Sequence, residues 1–355
     1  MEERLRSEYK WLLDVNEMAF DPIDERRLIE TIKGVNRYPD SGGKTLRTKL
    51  ASLVRQTVKG AGWVEPDHLI LGNGSDEVLK LILEGLLSQG DSILIPEPTF
   101  SEYERLAQIT RTNVVKMAFD LEGFDACRLI ESINRTKAKL IFLSNPNNPT
   151  GSFLSAQSIQ RIANETEALI VVDEAYGDFA GESAISCIKG NPRIIIVRTL
   201  SKAYGLASLR IGFLIADQAV VSKLIPYKMT YNISGVSESI AIDVLRDIGF
   251  AKGYIKTMEK VRQNALDLLT KVKGITVFPS RANFVLIKIE SERCYKTLYE
   301  SLEAASMRVR WFNHLSDSEI LLGCVRLTLT SDEDFMVFYR ILIKSMEEER
   351  CDSNV

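Results

Sequence analysis

A chain of 355 residues exceeds the size at which a single hydrophobic core usually stops growing, so two domains are expected. Apolar residues make up 45% and charged residues 26%, ordinary values for a water-soluble globular protein. The 45 basic and 48 acidic residues give a formal net charge of −3, which excludes the electrostatic footprint of a nucleic-acid binder or of a protein held on anionic membranes.

Cysteine and histidine usage narrows the chemistry further. Cys127, Cys187, Cys294, Cys324 and Cys351 are scattered and never paired at two-residue spacing, so neither a zinc site nor a disulfide framework is expected. His68 and His314 are the only histidines, which excludes a histidine-rich metal centre. The segment Met1–Arg6 is highly charged and has no apolar signal region, and no run approaches the roughly 18 apolar residues of a membrane span. The expectation is a cytoplasmic α/β protein with no metal, membrane or nucleic-acid partner.

The first forty residues read as an arm plus a short helix that packs elsewhere. Between Ser75 and Leu87, the residues Val78, Leu79, Ile82 and Leu86 recur at helical spacing, with Ser75 placed as the N-cap. Short apolar runs follow at Ser92–Ile95, Lys139–Leu143, Ala168–Val172, Arg193–Val197 and Ile211–Ile215. They are continuous rather than alternating, the pattern of strands buried on both faces. Helical segments such as Ser155–Glu167 lie between several of them, which is the grammar of a mostly parallel sheet covered by helices. After Asp217 the texture changes to a long, mainly helical stretch from about Ser234 to Val272. Ile275–Phe278, Phe284–Ile289 and Val325–Leu329 then read as strands around a helix near Tyr295–Ala305, the α+β pattern of a smaller domain. The expected division is 1–35 for an N-terminal arm and part of the small domain, 36–235 for the large domain and 236–355 for the small one.

In a doubly wound sheet, ligands sit beyond the carboxyl ends of the strands, so the polar residues that end the apolar runs carry the chemistry. Asp173 ends one run and could serve as an ion-pair partner, a base or a metal ligand. Thr199-Leu-Ser201-Lys202 ends another, with Arg210 eight residues on. A lysine there either snorkels to solvent or becomes a nucleophile, its amine activated by desolvation or a neighbouring cation for Schiff-base chemistry. The turn from Ser144 to Gly151, fixed by two prolines and a glycine, is either a plain loop or a rigid platform presenting the Asn148 amide to a planar ligand. Leu71-Gly-Asn-Gly-Ser75-Asp76 opens a helix whose free N–H groups suit a phosphate, but it lacks the third glycine and distal acid of the dinucleotide fingerprint. A lysine for an aldehyde, an acid for a pyridinium nitrogen and a phosphate cradle are together what a protein must offer pyridoxal 5′-phosphate.

At this point the chain resembles the fold-type I pyridoxal-phosphate enzymes, and within them the histidinol-phosphate aminotransferases. The resemblance runs from Leu13-Asp-Val-Asn16-Glu to Gly323-Cys-Val-Arg326-Leu-Thr and rests on Asn-Pro-Asn-Asn148-Pro-Thr-Gly, Asp173-Glu-Ala-Tyr176 and Ser201-Lys202 with Arg210. It implies a large domain with a mostly parallel seven-stranded sheet and a smaller α+β domain. It also implies that Lys202 carries the cofactor as a Schiff base and is the catalytic base, and that Asp173 pairs with the ring nitrogen. Asn148 and Tyr176 would hydrogen-bond the phenolic oxygen. The phosphate would be held by Gly74, Ser75, Asp76, Thr199, Ser201 and Arg210, with the ring of Phe100 stacked on the cofactor. Tyr38 would reach the phosphate of a neighbouring subunit, which implies a homodimer with shared active sites. Asn16 would lie in the arm that closes over substrate. Arg326 and Arg310 would bind the substrate phosphate, with Arg308 competing for the second role because it shares a strand face with Arg310.

The implied reaction moves an amino group between L-histidinol phosphate and 2-oxoglutarate. Two departures bear on it. The arm reads Asn16-Glu-Met18-Ala19 where the family has Asn-Glu-Asn-Pro, which puts substrate identity in question, and Phe100 stands where tyrosine is commoner. The rivals at the same site are an aromatic amino acid aminotransferase and a threonine-phosphate decarboxylase-like lyase; a non-catalytic fold relative is disfavoured by the complete set of site residues.

Overall fold

The structure is a computed structural model that describes residues 8–24, 34–312 and 318–352. With strands numbered in chain order, a seven-stranded sheet runs β2 (Leu69–Asn73), β8 (Ile211–Ile215), β7 (Ile194–Thr199), β6 (Leu169–Asp173), β5 (Leu140–Ser144), β3 (Ser92–Glu97) and β4 (Asn113–Ala118). Only β8 runs against its neighbours. The expected mostly parallel seven-stranded sheet is therefore present.

The period of two along each strand decides which layer covers which side chain. Ile141, Leu143, Ile170, Ile194 and Ile196 share a core with helices α1 (Lys44–Thr57), α4 (Ala126–Thr136), α5 (Ala156–Glu165) and α6 (Ile185–Ile188). Their neighbours Leu140, Phe142, Val171, Ile195 and Val197 face the opposite way, against α2 (Gly74–Leu86), α3 (Glu102–Ile109) and α7 (Gln218–Leu224). Each such aliphatic side chain contributes about 1.5–3 kcal/mol by burial. This two-sided covering is why the runs read as continuous rather than alternating.

A second sheet runs β1 (Trp11–Leu13), β11 (Met307–Trp311), β12 (Cys324–Thr328), β10 (Phe284–Ile289) and β9 (Ile275–Val277). Helices α8 (Gly235–Val244) and α9 (Gly249–Leu269) lead into it, and α10 (Glu292–Ala304) and α11 (Asp332–Asp352) pack with it. Its core is continuous with one face of the large sheet, and the Tyr176 ring meets Phe284 edge-on at 5.0 Å.

Some expectations need correction. Ser75 does not cap α2. The helix starts one residue earlier, Asn73 sits at the cap position without a side-chain bond, and the Glu77 carboxylate accepts the Asn73 N–H. The expected long, mainly helical stretch is present, as two helices, α8 and α9, separated at Leu245–Ile248. Strands β2 and β4 lie outside the apolar runs. In β4 the exposed edge position leaves Asn113, Lys116 and Ala118 in the run, and β2 ends in the Gly72-Asn73-Gly74 turn. The arm contributes a strand, β1, parallel to β11, because Leu13 buries against the small sheet. No α-helix occurs in the described part of the first forty residues; the rest of that stretch lies outside the described residues.

Candidate active site

The carboxyl ends of β5, β6 and β7 lie side by side, which brings Ser144, Asp173 and Thr199 to one edge of the sheet. The reversed strand β8 starts at that same edge, because Thr199 pairs with Gly212 and Asn73 with Ile211. Arg210, just before β8, is thereby set against the start of α2. A cavity of about 1700 Å³ opens here, between this edge and β11 and β12 of the small sheet.

At one end of the cavity lies an anion cradle. The Gly74 N–H donates to the Arg210 carbonyl at 2.8 Å, and Arg210 Nη2 pairs with Asp76 Oδ2 at 3.1 Å. Gly74 has φ +79, and a Cβ added there would stand 2.4 Å from Arg210 Nη2. A Cβ on Gly212 would stand 2.3 Å from the Ser75 nitrogen. Only glycines let the helix N-terminus, the β8 backbone and the guanidinium converge this closely. Ser75, Thr199 and Ser201 also line the cavity, with Ser201 N–H donating to Thr199 Oγ1 at 3.1 Å. Backbone donors, hydroxyls and a guanidinium at a helix N-terminus suit a phosphate.

Deeper in, Asp173 is buried at the end of β6. Its Oδ1 accepts the Ala175 N–H at 3.0 Å and its Oδ2 accepts Tyr103 Oη at 2.9 Å. Tyr103 is a site residue to which the sequence alone assigns no role; its place three residues after Phe100, on the buried face of α3, is the available signal. Burial pushes the Asp173 carboxyl up from 3.8 to about 6, outweighing the two hydrogen bonds that pull it down. The folded, cofactor-free protein thus keeps a proton that the unfolded chain releases above pH 4. The stability this supplies is full below pH 4 and is lost as pH rises through 6, a change of roughly 3 kcal/mol for about two pK units. Asp173→Asn should therefore show a smaller fall in melting temperature between pH 4.5 and 7.5 than the parent, both measured without cofactor. An identical fall in the two proteins would contradict the assignment.

The loop after β6 is held by a buried network in which Arg198 Nη2 meets Glu174 Oε2 at 2.8 Å and Arg198 Nη1 meets Asp178 Oδ1 at 3.2 Å. Such a network fixes position more than it adds stability, and here it fixes Tyr176. Lys202 Nζ lies 5.8 Å from the Tyr176 ring centroid and donates to the Val15 carbonyl at 2.7 Å. The arm is thus drawn over the cavity, and Arg326 also donates to the carbonyl of Asp14. Arg326 donates through Nη1 to Asn148 Oδ1, so Asn148 keeps its N–H₂ for the cavity. Arg326 Nε is buried and has no hydrogen-bond partner among the described residues.

Phe100 lines the cavity, edge-on to Tyr103 with ring centroids 5.7 Å apart. Arg308 and Arg310 both reach the cavity. Arg308 Nε is paired with Asp14 Oδ2 at 2.9 Å, a link between arm and β11 that no local pattern in the sequence signals. Arg310 lies directly opposite Arg326 across β11 and β12. The structure does not bring Tyr38 into the cavity of its own chain: it is 83% exposed and stacks on Tyr231 with centroids 4.8 Å apart. Asn16 reaches the cavity wall, but its amide is spent on Tyr176, to which Nδ2 donates at 2.9 Å.

A profile of the family described as "Aminotransferase class I and II" matches residues 9–338. The chain belongs to this family. This aminotransferase is 33% identical over 336 residues to the histidinol-phosphate aminotransferase of Caldanaerobacter subterraneus subsp. tengcongensis, covering 93% of this chain and 92% of that one. It is 34% identical over 300 residues to the Clostridium kluyveri enzyme of the same name, covering 83% of each. The crystal structure of histidinol-phosphate aminotransferase from Sinorhizobium meliloti in complex with pyridoxal-5′-phosphate matches with a TM-score of 0.83 at 21% identity, covering 96% of this chain and 92% of that one. That of L-threonine-O-3-phosphate decarboxylase from Porphyromonas gingivalis matches at 0.76 and 23%, covering 91% and 94%. At these identities the structural likeness establishes the fold, fold-type I, and one fold hosts several reactions.

The cavity of this aminotransferase fits pyridoxal 5′-phosphate. The glycine-lined cradle suits a phosphate, burial holds the Asp173 carboxyl up at about 6 so that a cationic ring nitrogen would suit it, and Asn148 keeps a donor for an oxygen between these ends.

Proposed function

We propose that this aminotransferase uses pyridoxal 5′-phosphate to move the amino group of L-histidinol phosphate to 2-oxoglutarate, giving imidazole acetol phosphate and L-glutamate in histidine biosynthesis. The observation that carries the reading is the pair Arg310–Arg326, directly opposed on adjacent strands and both lining the cavity. Like charges placed so cost stability. Burial, and then the nearby Arg310 charge, hold the Arg326 guanidinium below its usual range, while Tyr176 and Asp14 act the other way. Two guanidiniums carried side by side on adjacent strands suit a phosphate dianion. The curated relatives' substrate name supports the same choice.

When bound, the cofactor supplies an aldehyde for the amino group and an electron-accepting ring. Lys202 would anchor it covalently and, as general base, would move the substrate's α-proton. Asp173 would pair with the ring nitrogen and keep it protonated, a cation that suits a buried carboxyl. Gly74, Ser75, Asp76, Thr199, Ser201 and Arg210 hold the phosphate, and Phe100 stacks on the ring. Arg310 and Arg326 hold the substrate's far end, and the arm at Asp14–Asn16 excludes water.

A homodimer is part of the proposal, with Tyr38 completing the partner's phosphate site. It is supported by the exposed Tyr38, Tyr227, Met229 and Tyr231 on two segments joined by the Tyr38–Tyr231 stack. The large and small domains divide near residue 235, after α7. A cytoplasmic location goes with a biosynthetic role; no helix among the described residues is long and apolar enough to cross a membrane.

The test is a single turnover of the cofactor-loaded protein with histidinol phosphate or phenylalanine. Rapid loss of the visible cofactor band is expected with the phosphorylated donor, and glutamate as product once 2-oxoglutarate is added. Arg310→Ala should slow that donor roughly 10- to 100-fold, the worth of a charge-assisted bond, and leave cofactor affinity unchanged. Conversion by phenylalanine alone would make it an aromatic aminotransferase, and carbon dioxide as product a lyase.

A further inference from the structure

Hydrogen-bond polarity near β12 is fixed from one end. The Asn16 backbone N–H can only donate, and it does so to Thr328 Oγ1 at 3.0 Å. Thr328 Oγ1 is then the donor to Asn16 Oδ1 at 2.9 Å, and Asn16 Nδ2 is the donor to Tyr176 Oη at 2.9 Å. Turning the amide over would leave the Thr328 proton without an acceptor, because the hydroxyl has no other partner among the described residues. Thr328 is 1% exposed, so no solvent substitutes, and an unmet donor there is costly. Asn16 is held for this task. Its backbone sits in the left-handed region at φ +58, and its carbonyl accepts Asn283 Nδ2 at 3.3 Å. Tyr176 Oη therefore accepts from Asn16 and must send its own proton elsewhere, and no described residue accepts it.

We propose that Thr328 and Asn16 are positioning residues that point the Tyr176 hydroxyl proton into the cavity, committing Tyr176 to donate to the cofactor's ring oxygen. This rests on the cofactor reading above but not on the choice of substrate. The chain begins at a backbone amide, so Tyr176 cannot alternate between donor and acceptor while Thr328 keeps its hydroxyl. A donor committed to that oxygen favours its charged form.

The experiment uses Thr328→Val, which removes the relay, and Thr328→Ser, which restores it. Two readouts are followed: the cofactor dissociation constant of the cofactor-free protein, and the pH at which the visible band of the loaded protein changes. In T328V the amide is free to turn and take the tyrosine proton. Cofactor binding should weaken about 5- to 10-fold, as for one lost hydrogen bond, and the spectral pH should move by about one unit, with T328S close to the parent. N16D, which offers acceptors only, should behave like T328V and serves if that variant does not fold. Variants that melt like the parent and match it in both readouts would overturn the proposal. So would a T328S protein that fails as T328V does, since the valine effect would then be one of packing. A parent protein that binds no cofactor would instead overturn the functional reading, and this inference with it.

Discussion

Replacing Lys202 by alanine is expected to abolish transamination, with kcat falling by at least about four orders of magnitude. A positioned acid–base group alone is worth roughly 10²- to 10⁴-fold, and here the same amine is also the anchor. No other lysine among the described residues is placed to take over. Near the carboxyl edge Lys202 is the lysine that reaches over Tyr176 and under the arm, and the other lysine lining the cavity, Lys116, is tied to Glu97 and Glu104 at 3.1 and 2.8 Å. The variant should still bind cofactor, because the cradle at Gly74 and Arg210 and the carboxylate of Asp173 remain. The check is kcat together with borohydride reduction of the loaded protein and mapping of the modified peptide. The parent should carry the label at Lys202 and the variant should carry none. A label on Lys116, or turnover within a hundredfold of the parent, would mean that another amine does the work.

Much of the candidate site could be read from the sequence because several of the groups proposed to face the cofactor end an apolar run. Asp173, Thr199 and the turn containing Asn148 are placed by strands whose burial on both faces makes them legible one segment at a time. The resemblance then supplied roles that spacing leaves open. What escaped the reading is held by contacts between distant segments. Asp14 meets Arg308 across 294 residues, and Asn16 meets Thr328 across 312. Neither pairing leaves a local period, because β1 is three residues long and joins the small sheet only through β11. Tyr103 was hidden differently. It reads as an ordinary core aromatic of α3, stacked on Phe142 at 4.8 Å, and only the fold puts its hydroxyl on Asp173. The choice between Arg308 and Arg310 could not be made from strand periodicity, since both share a face; in the fold Arg308 meets the Asp14 carboxylate and Arg310 lies opposite Arg326, and the proposed phosphate role follows that second pairing.

The second large effect is expected at Arg326. An amino donor and a 2-oxo acid pass through the same cavity in turn, so the group that holds their common anion must serve both half-reactions. Arg326 is buried, its two terminal nitrogens reach Asn148 and the Asp14 carbonyl, and Nε has no partner among the described residues. It is thus fixed from behind by the cofactor-side asparagine and by the arm, and stands ready for a ligand in front. Truncating one partner of a buried, hydrogen-bonded charge pair costs about 2–5 kcal/mol, which corresponds to roughly 30- to 4000-fold in kcat/KM. Arg326→Ala should lose that much with histidinol phosphate and, separately, with 2-oxoglutarate. Arg326→Lys should recover only part of it, because one ammonium cannot span Asn148, the arm and an anion at once. Arg310→Ala, by contrast, should weaken the phosphorylated donor far more than 2-oxoglutarate. Stopped-flow measurement of the two half-reactions in all three variants separates these roles. If Arg326→Ala slowed only one half-reaction, the two substrates would not share an anion site, and the arginine pair across β11 and β12 would have to be assigned to a single ligand.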